Sequence, residues 1–286
     1  IFVIGNPQEL KGKLIGNVRA FESLLESGEK IPQFALQERM QHLQFDEPIN
    51  IQYTSGTTGF PKGVTLSHHN LLNNAWFAAQ AMGLNQSTRF CVPMPFYHCG
   101  GMVSSAMAAF SVGGAVIIPC AFYDEEKVLK ALAGEKCTHV SGVPTMFIGE
   151  LEHPGFAKYD LSNLRGGFMA GAPCPVQLMR KVADKMHMKE VVILYGLTEA
   201  SPLITATTVS VSLELRATTV GKIIPGLEIK LIDTISGEIV ARGIQHARHE
   251  GAHAVDRAPQ VDAKHPFPLA RGRFPHQAGA AHAGVV

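Results

Sequence analysis

Neither sign of charge dominates this sequence. Lys and Arg number 25 against 24 Asp and Glu, a formal net charge of +1. That balance gives no reason to expect nucleic acid or an anionic membrane as partner. Cysteine is sparse: Cys91, Cys99, Cys120, Cys137 and Cys174 are odd in number, scattered and without a C-x-x-C pair. They suit free thiols in a reducing compartment, cytoplasmic or mitochondrial, better than a disulfide framework or a zinc site. Residues 90–123 contain no Asp, Glu, Lys or Arg, which raises the question of a membrane span. Pro93, Pro95, His98, the pairs Gly100-Gly101 and Gly113-Gly114, and Pro119 interrupt that run. A buried helix near Met102–Phe110 and a buried strand near Ala115–Ile118 fit it better, so no transmembrane segment is expected. An initiating Met is also absent, and the chain is expected to lack its original N-terminus together with any targeting segment there.

What is present suffices for a core. The 286 residues are 46% hydrophobic, enough for one large domain or two modest ones. From about residue 49, short β-rich runs alternate with helical patterns. "INIQY" reads as a strand, and Ser67 caps a helix carrying Leu71, Leu72, Ala75, Trp76 and Ala79. Asp124 opens a helix with Val128, Leu129 and Leu132, closed by Gly134. "CTHVS" is a strand, and Pro175 suits the first turn of a helix with Val176, Met179, Val182 and Met186 on one face. That methionine face reads as core packing. "EVVILY" is a continuous apolar strand of the kind buried on both faces of a parallel sheet. The alternation argues for an α/β sheet covered by helices. "LEIKLID" and "EIVARG" around "TISG" read as a β-hairpin added to it.

The stretch "YTSGTTGFPKG", Tyr53–Gly63, packs hydroxyls, glycines and one lysine between the strands "INIQ" and "VTLS". Glycines let backbone N–H groups turn toward one point, hydroxyls add donors, and Lys62 adds a full charge. Such a loop suits a polyanion, most often phosphate. It is not the common P-loop, because Phe60 and Pro61 separate Gly59 from Lys62 and Gly63 stands where Ser or Thr is required. By composition alone it could equally be a flexible Ser/Thr/Gly turn. Three further loops belong with it: "FYHC" (Phe96–Cys99), "GAPC" (Gly171–Cys174) after strand "GGFMA", and "YGLTEASP" (Tyr195–Pro202) after strand "VVIL". In a parallel sheet the C-terminal strand ends share one edge, where ligands of open α/β folds bind. The loops are expected to converge there.

These residues carry a resemblance. "YTSGTTGFPKG", "GAP" and "YGLTE", in that order, resemble the signature motifs of the acyl-adenylate-forming superfamily. "PINIQYTSGTTGFPKGVTLSHHNLLNN", "PFYHC" and "GVPTMF" are most similar to fatty-acyl-CoA synthetases. The resemblance runs from about residue 46 to 243. It implies a partial N-terminal domain of an adenylate-forming enzyme, α/β with a helix-covered, mostly parallel sheet plus a β-hairpin region, the C-terminal subdomain being absent. It implies a partial AMP-binding domain over residues 1–243 and an aberrant or disordered tail over 244–286. It implies ATP, a fatty acid and CoA as small-molecule partners, with Mg²⁺. By the same resemblance Thr54, Ser55, Gly56, Thr57, Thr58, Gly59 and Lys62 hold the departing pyrophosphate, and Gly171, Ala172 and Tyr195 lie against adenine. Thr198 bonds the α-phosphate, Glu199 holds Mg²⁺, and His98 borders the carboxylate end of the acyl pocket. The physics agrees, since two anions must meet while charge builds on the leaving pyrophosphate, and a lysine, a cation and preset N–H donors all favour that. Read from the residues alone, His98 could be structural, Glu199 a solvated or capping carboxylate, and Tyr195 part of the core.

Residues 244–286 hold six of the thirteen histidines and four prolines without helical or strand periodicity, as expected of a disordered or frame-changed terminus. "HEGAH" (His249–His253) matches a zinc-protease pattern. That motif needs a helix and a third ligand, and Gly251 lies inside it, so no zinc site is expected. Family members continue past the "SGEIVARG" segment into a ribose-binding aspartate and a domain with a catalytic lysine, neither of which appears. The chain is expected to be a fragment that makes no acyl-CoA alone. Two alternatives stand beside a fatty-acid–CoA ligase: an adenylating enzyme for an aryl or amino acid, and an inactive nucleotide-binding remnant.

Overall fold

The structure is a computed structural model that describes residues 2–3, 19–54 and 60–229. The chain divides into two compact units, Ile1–Glu47 and Pro48–Val286. In the first, β1 (Phe2–Val3) pairs in parallel with β2 (Arg19–Ala20), and α1 (Glu22–Glu29) and α2 (Gln33–His42) follow with no buried residue in either helix.

The second unit opens with an antiparallel hairpin, β3 (Pro48–Thr54) and β4 (Lys62–Ser67). Ser67 then starts α3 (His68–Met82) as expected. Its hydroxyl accepts the Asn70 N–H while the Asn70 side chain accepts the Ser67 N–H, a reciprocal cap that satisfies two otherwise orphan donors. Gly83, at φ 67, ends the helix in the left-handed conformation.

Next comes a seven-stranded sheet. Its strands are β5 (Arg89–Cys91), β6 (Ala115–Ile117), β7 (His139–Gly142), β8 (Gly166–Met169), β9 (Glu190–Gly196), β10 (Leu203–Ala206) and β11 (Lys222–Ile223), in the order β6-β5-β7-β8-β9-β10-β11. The first five are parallel, and β10 and β11 add antiparallel strands at the other edge. After β5 the chain places β6 on one side, then returns to place β7 on the other. Growth therefore reverses between β5 and β7, and a crevice forms beyond the C-terminal strand ends at such a reversal.

The connections are helical. A continuous run joins β5 to β6: α4 (Cys99–Gly101), a π-helical stretch over Met102–Met107, and α5 (Ala108–Ser111). Then α6 (Glu125–Gly134), α7 (Pro144–Glu152) and α8 (Val176–Lys185) join the later parallel strands, and α9 (Leu213–Thr218) lies between β10 and β11. Alternate residues of one strand serve opposite faces of the sheet. Val191 and Ile193 of β9 pack with Leu129, Phe147 and Met179 of α6, α7 and α8. Val192 and Leu194 pack instead with Met82 and Ala108 of α3 and α5. The expected methionine face is core, with Met179 and Met186 fully buried. The guanidinium of Arg216, on α9, is also buried, and it donates to the carbonyls of Lys189, Val191 and Val211, which ties α9 to the start of β9.

Four expectations differ in detail. The strand expected to be buried near Ala115–Ile118 is the sheet edge, with Ile118 61% exposed, because among the described residues nothing pairs beyond β6 in the sheet. Gly134 is the last residue of α6, and the left-handed residue after it is Lys136 at φ 48. Pro175 stands just before α8, in extended conformation, rather than in its first turn. Leu72 points outward at 40% exposure, whereas Leu71, Ala75 and Ala79 are buried. All five cysteines are free thiols, and among the described residues no helix is long and apolar enough to cross a membrane. Of the expected hairpin, Leu227–Ile229 at the start of "LEIKLID" are described and lie outside any strand, while the rest of it, "EIVARG", the tail and its "HEGAH" lie outside the described residues from 230 onward.

Candidate active site

The β3–β4 hairpin carries the phosphate-loop sequence at its tip. Thr54 and Lys62 face each other as the last pair of the hairpin ladder, with Thr54 half-buried and Lys62 exposed. Ser55, Gly56, Thr57, Thr58 and Gly59 lie outside the described residues.

The other candidates sit at the C-terminal ends of parallel strands or just past them. His98 ends the loop after β5, where its Nδ1 accepts the Gly100 N–H at 3.0 Å. That bond requires a bare Nδ1, so the ring hydrogen is on Nε2, and Nε2–H remains a donor. Burial lowers the His98 pKa from the usual imidazole value, which favours this neutral form. Past β8, Gly171 takes φ 81, a conformation that suits glycine, and it begins an exposed turn with Ala172 and Pro173. The β8–β9 register pairs Met169 with Ile193, and continuing it by two residues puts Gly171 level with half-buried Tyr195.

After β9 the chain makes one 3₁₀ turn, Thr198–Ala200, then Ser201 at φ 82 and Pro202, before returning as β10. Gly196 allows this return, because a Cβ there would collide with the Pro202 carbonyl. Ser201 stays in a conformation rare for a side chain-bearing residue because its surroundings over-determine it. Asn74, buried on α3, donates to the carbonyls of Ala200 and Leu203 and accepts the Leu203 N–H. Thr198 is half-buried and Glu199 exposed. This turn also lies against β4, the strand that begins with Lys62.

The structure thus brings the loops after β5 and β9 into direct contact: Cys99 Sγ lies 3.5 Å from Thr198 Oγ1. It places Gly171 and Ala172 on the same edge of the sheet, and Thr54 and Lys62 at the loop end of the hairpin. A shallow cavity of about 360 Å³ flanks the loop after β5, lined by Asn50, Ile51, Gln52, Tyr53, Phe96 and Tyr97.

Two contributors were not read from the sequence. Asn74 stands among Leu71, Ala75 and Ala78 on the buried face of α3, a polar residue at a core position, and that pattern was the available signal. Cys99 ends the "FYHC" loop expected at the site, but its contact shows no such signal, since its partner is 99 residues away.

Among the described residues no group of three or more His, Cys, Asp or Glu could hold a metal ion. Glu199 offers one exposed carboxylate at the crevice. That donor set fits Mg²⁺, which keeps several waters and takes further ligands from bound phosphates, and does not fit a protein-caged ion.

The family model described as AMP-binding enzyme matches residues 6–249. The mitochondrial medium-chain acyl-CoA ligase ACSF2 of Danio rerio is 46% identical over 226 residues, which cover 78% of this chain and 37% of that protein. ATP-bound MatB from Rhodopseudomonas palustris superimposes with a TM-score of 0.60 at 26% identity, covering 70% of this chain and 39% of MatB. The anthranilate CoA ligase AuaEII, in complex with anthranoyl-AMP, superimposes with a TM-score of 0.63 at 25% identity, covering 69% of this chain and 38% of AuaEII. The chain spans well under half the length of each of these proteins.

Proposed function

Because the chain belongs to the AMP-binding enzyme family, we propose that it supplies the acid-activating part of an ATP-dependent fatty-acid–CoA ligase. The observation that carries this reading is the meeting of the His98–Cys99 and Thr198–Glu199 loops at the reversal edge of the parallel sheet, with the phosphate-loop hairpin beside them. The similarity to a medium-chain acyl-CoA ligase supports an aliphatic acid as substrate. In this reading residues 1–243 form the partial AMP-binding domain and 244–286 a tail, a boundary six residues short of where the family match ends.

In the proposed reaction a carboxylate oxygen attacks the α-phosphorus of ATP. The bond from that phosphorus to the bridging oxygen breaks, and pyrophosphate leaves with the electron pair. Lys62 places a full positive charge beside the departing phosphates, and Thr54 with the backbone and hydroxyls of residues 55–59 surrounds them. Thr198 donates its O–H to an α-phosphate oxygen. Gly171, Ala172 and Tyr195 flank the adenine, the glycine leaving room for the ring. His98 Nε2–H donates to the acid, which orients one carboxylate oxygen for attack; the neutral ring does this without taking up a proton. Mg²⁺, when bound with ATP at Glu199, neutralises phosphate charge. Positioning and charge stabilisation supply most of the acceleration in phosphoryl chemistry of this kind. In the second step the thiol of CoA attacks the acyl carbon, and AMP leaves.

Isotope tracing tests the first step. Octanoate labelled with ¹⁸O in both carboxylate oxygens is incubated with ATP, Mg²⁺, CoA and the full gene product carrying this sequence. Transfer of one ¹⁸O to AMP is expected. Label found in pyrophosphate, or no transfer from octanoate alongside transfer from an aryl or amino acid, would overturn the reading.

A further inference from the structure

We propose that Cys99 is a positioning residue whose buried S–H donates to the Thr198 hydroxyl oxygen and so aims the Thr198 O–H at the anion in the crevice. This rests on the reading of Thr198 as a phosphate ligand.

A threonine hydroxyl has one hydrogen. A phosphate oxygen only accepts, so Thr198 must spend that hydrogen on the phosphate and offer its lone pairs to Cys99. Of the two ways to draw the 3.5 Å contact, only sulfur as donor is compatible with nucleotide binding. Cys99 is suited to donate: it is 4% exposed, and burial raises its pKa above the usual thiol range, so it stays an S–H. The same features exclude a nucleophilic role, which requires thiolate and access.

The contact spans three strand spacings of the sheet. β7 and β8 lie between β5 and β9, so the two strands are roughly 14 Å apart at the usual strand spacing. The loops can meet only if the turn at Cys99 is held in place, and three features hold it. The His98 ring caps the Gly100 N–H. Ser105, fully buried in the π-helical stretch, hydrogen-bonds the Gly100 carbonyl at 2.7 Å and the Ser141 hydroxyl of β7 at 2.9 Å. Gly101 has no room for a Cβ against the Pro95 and Met94 carbonyls, so the helix start is seated directly on the preceding loop. Wide π turns recur at functional sites, and here one seats a serine where it can fasten this turn to the neighbouring strand.

The test uses the full gene product with Cys99→Ala, Cys99→Ser, Thr198→Ala and the Cys99→Ala/Thr198→Ala double variant. Octanoate-dependent exchange of labelled pyrophosphate into ATP gives kcat and the KM for acid, and calorimetry gives the affinity for AMP. Cys99→Ala is expected to lower kcat about fivefold, the size of one modest hydrogen bond, with the KM for octanoate unchanged. Cys99→Ser should restore most of the loss, and the double variant should match Thr198→Ala, since a partner that acts through Thr198 has nothing left to orient. An unchanged Cys99→Ala enzyme, a serine variant as poor as alanine, or losses that multiply in the double variant would each overturn the proposal. Circular dichroism checks each fold, and Cys99→Gly replaces Cys99→Ala if the latter fails that check. Should wild type show no exchange, the adenylation reading falls. AMP affinity then decides the role of Cys99 alone: weakening in Cys99→Ala with recovery in Cys99→Ser supports it, and any other pattern of affinities overturns it.

Discussion

Asn74 grips Leu203 through both ends of its side-chain amide: Oδ1 accepts the Leu203 N–H at 2.9 Å, and Nδ2 donates to the Leu203 carbonyl at 2.9 Å. A second contact from Nδ2 reaches the Ala200 carbonyl at 3.3 Å. The helix that follows the phosphate-loop hairpin is thereby tied to the turn that holds Thr198 and Glu199. Both ends are buried, so water does not compete for these bonds.

Asn74→Ala is expected to destabilise the fold by about 2 kcal/mol, because the Leu203 N–H and carbonyl are left buried without partners. Asn74→Asp keeps the acceptor but turns a buried carboxylate oxygen toward the Ala200 and Leu203 carbonyls, so at neutral pH it is expected to destabilise at least as much as Asn74→Ala. Urea unfolding of the wild type and both variants measures this. Equal midpoints for the wild type and Asn74→Ala would show that the grip contributes nothing.

Much of this arrangement was legible before the structure. "INIQY" and "VTLS" are strands, Ser67 caps its helix, and "EVVILY" is the buried β9, because each follows from local periodicity or capping chemistry. The shared edge of the parallel strands followed from their alternation with helices. Edge position was not legible: Ala115–Ile117 is apolar enough for a core strand, and only the pairing of its neighbours leaves it half-exposed. The Cys99–Thr198 contact and the π-helical stretch were not legible either. The first depends on which strands intervene, and the second shifts the helical period by a single residue.

His98→Asn separates two duties of one side chain. Asparagine is a good N-cap and can still accept the Gly100 N–H, but it lacks a donor at the position of Nε2. The expected result is an unchanged melting temperature with the KM for the acid raised about tenfold, one charge-assisted hydrogen bond. A melting temperature that drops with unchanged kinetics would make His98 a structural cap alone.

Lys62→Ala is expected to lower kcat/KM for ATP by about a hundredfold, the usual order for one charge-stabilising group in a transition state. Its exposure means that the fold should not notice the change. Kinetics equal to wild type would remove Lys62 from the site.

Two buried groups set how stability varies with pH. Burial, aided by Arg165, lowers His139 to about 4, so the folded state keeps it neutral while the unfolded chain protonates it below its usual value of 6.5. Its stabilisation is present above pH 6.5 and lost as pH falls toward 4. Glu150 is opposite: burial, with Glu125 nearby, raises it to about 8 from 4.5. Its stabilisation is present below pH 4.5 and lost as pH rises to 8. Between pH 4.5 and 6.5 the two slopes oppose each other, and from 6.5 to 8 the Glu150 slope of about 1.4 kcal/mol per pH unit acts without opposition from His139. Glu150→Gln should therefore gain on wild type steadily from pH 4.5 to 8 and hold its gain above that. Denaturant midpoints of both proteins across this range would contradict the account if their difference were independent of pH.

The central claim, that these loops activate a fatty acid as its adenylate, is tested most directly by exchange of ³²P-labelled pyrophosphate into ATP on the full gene product, without CoA, across acids of increasing chain length. Adenylation is reversible before the thiol arrives, so the account predicts exchange that requires both Mg²⁺ and an aliphatic acid and falls about a hundredfold in Lys62→Ala. Exchange that proceeds without any acid, or none with every aliphatic acid tried, would contradict it.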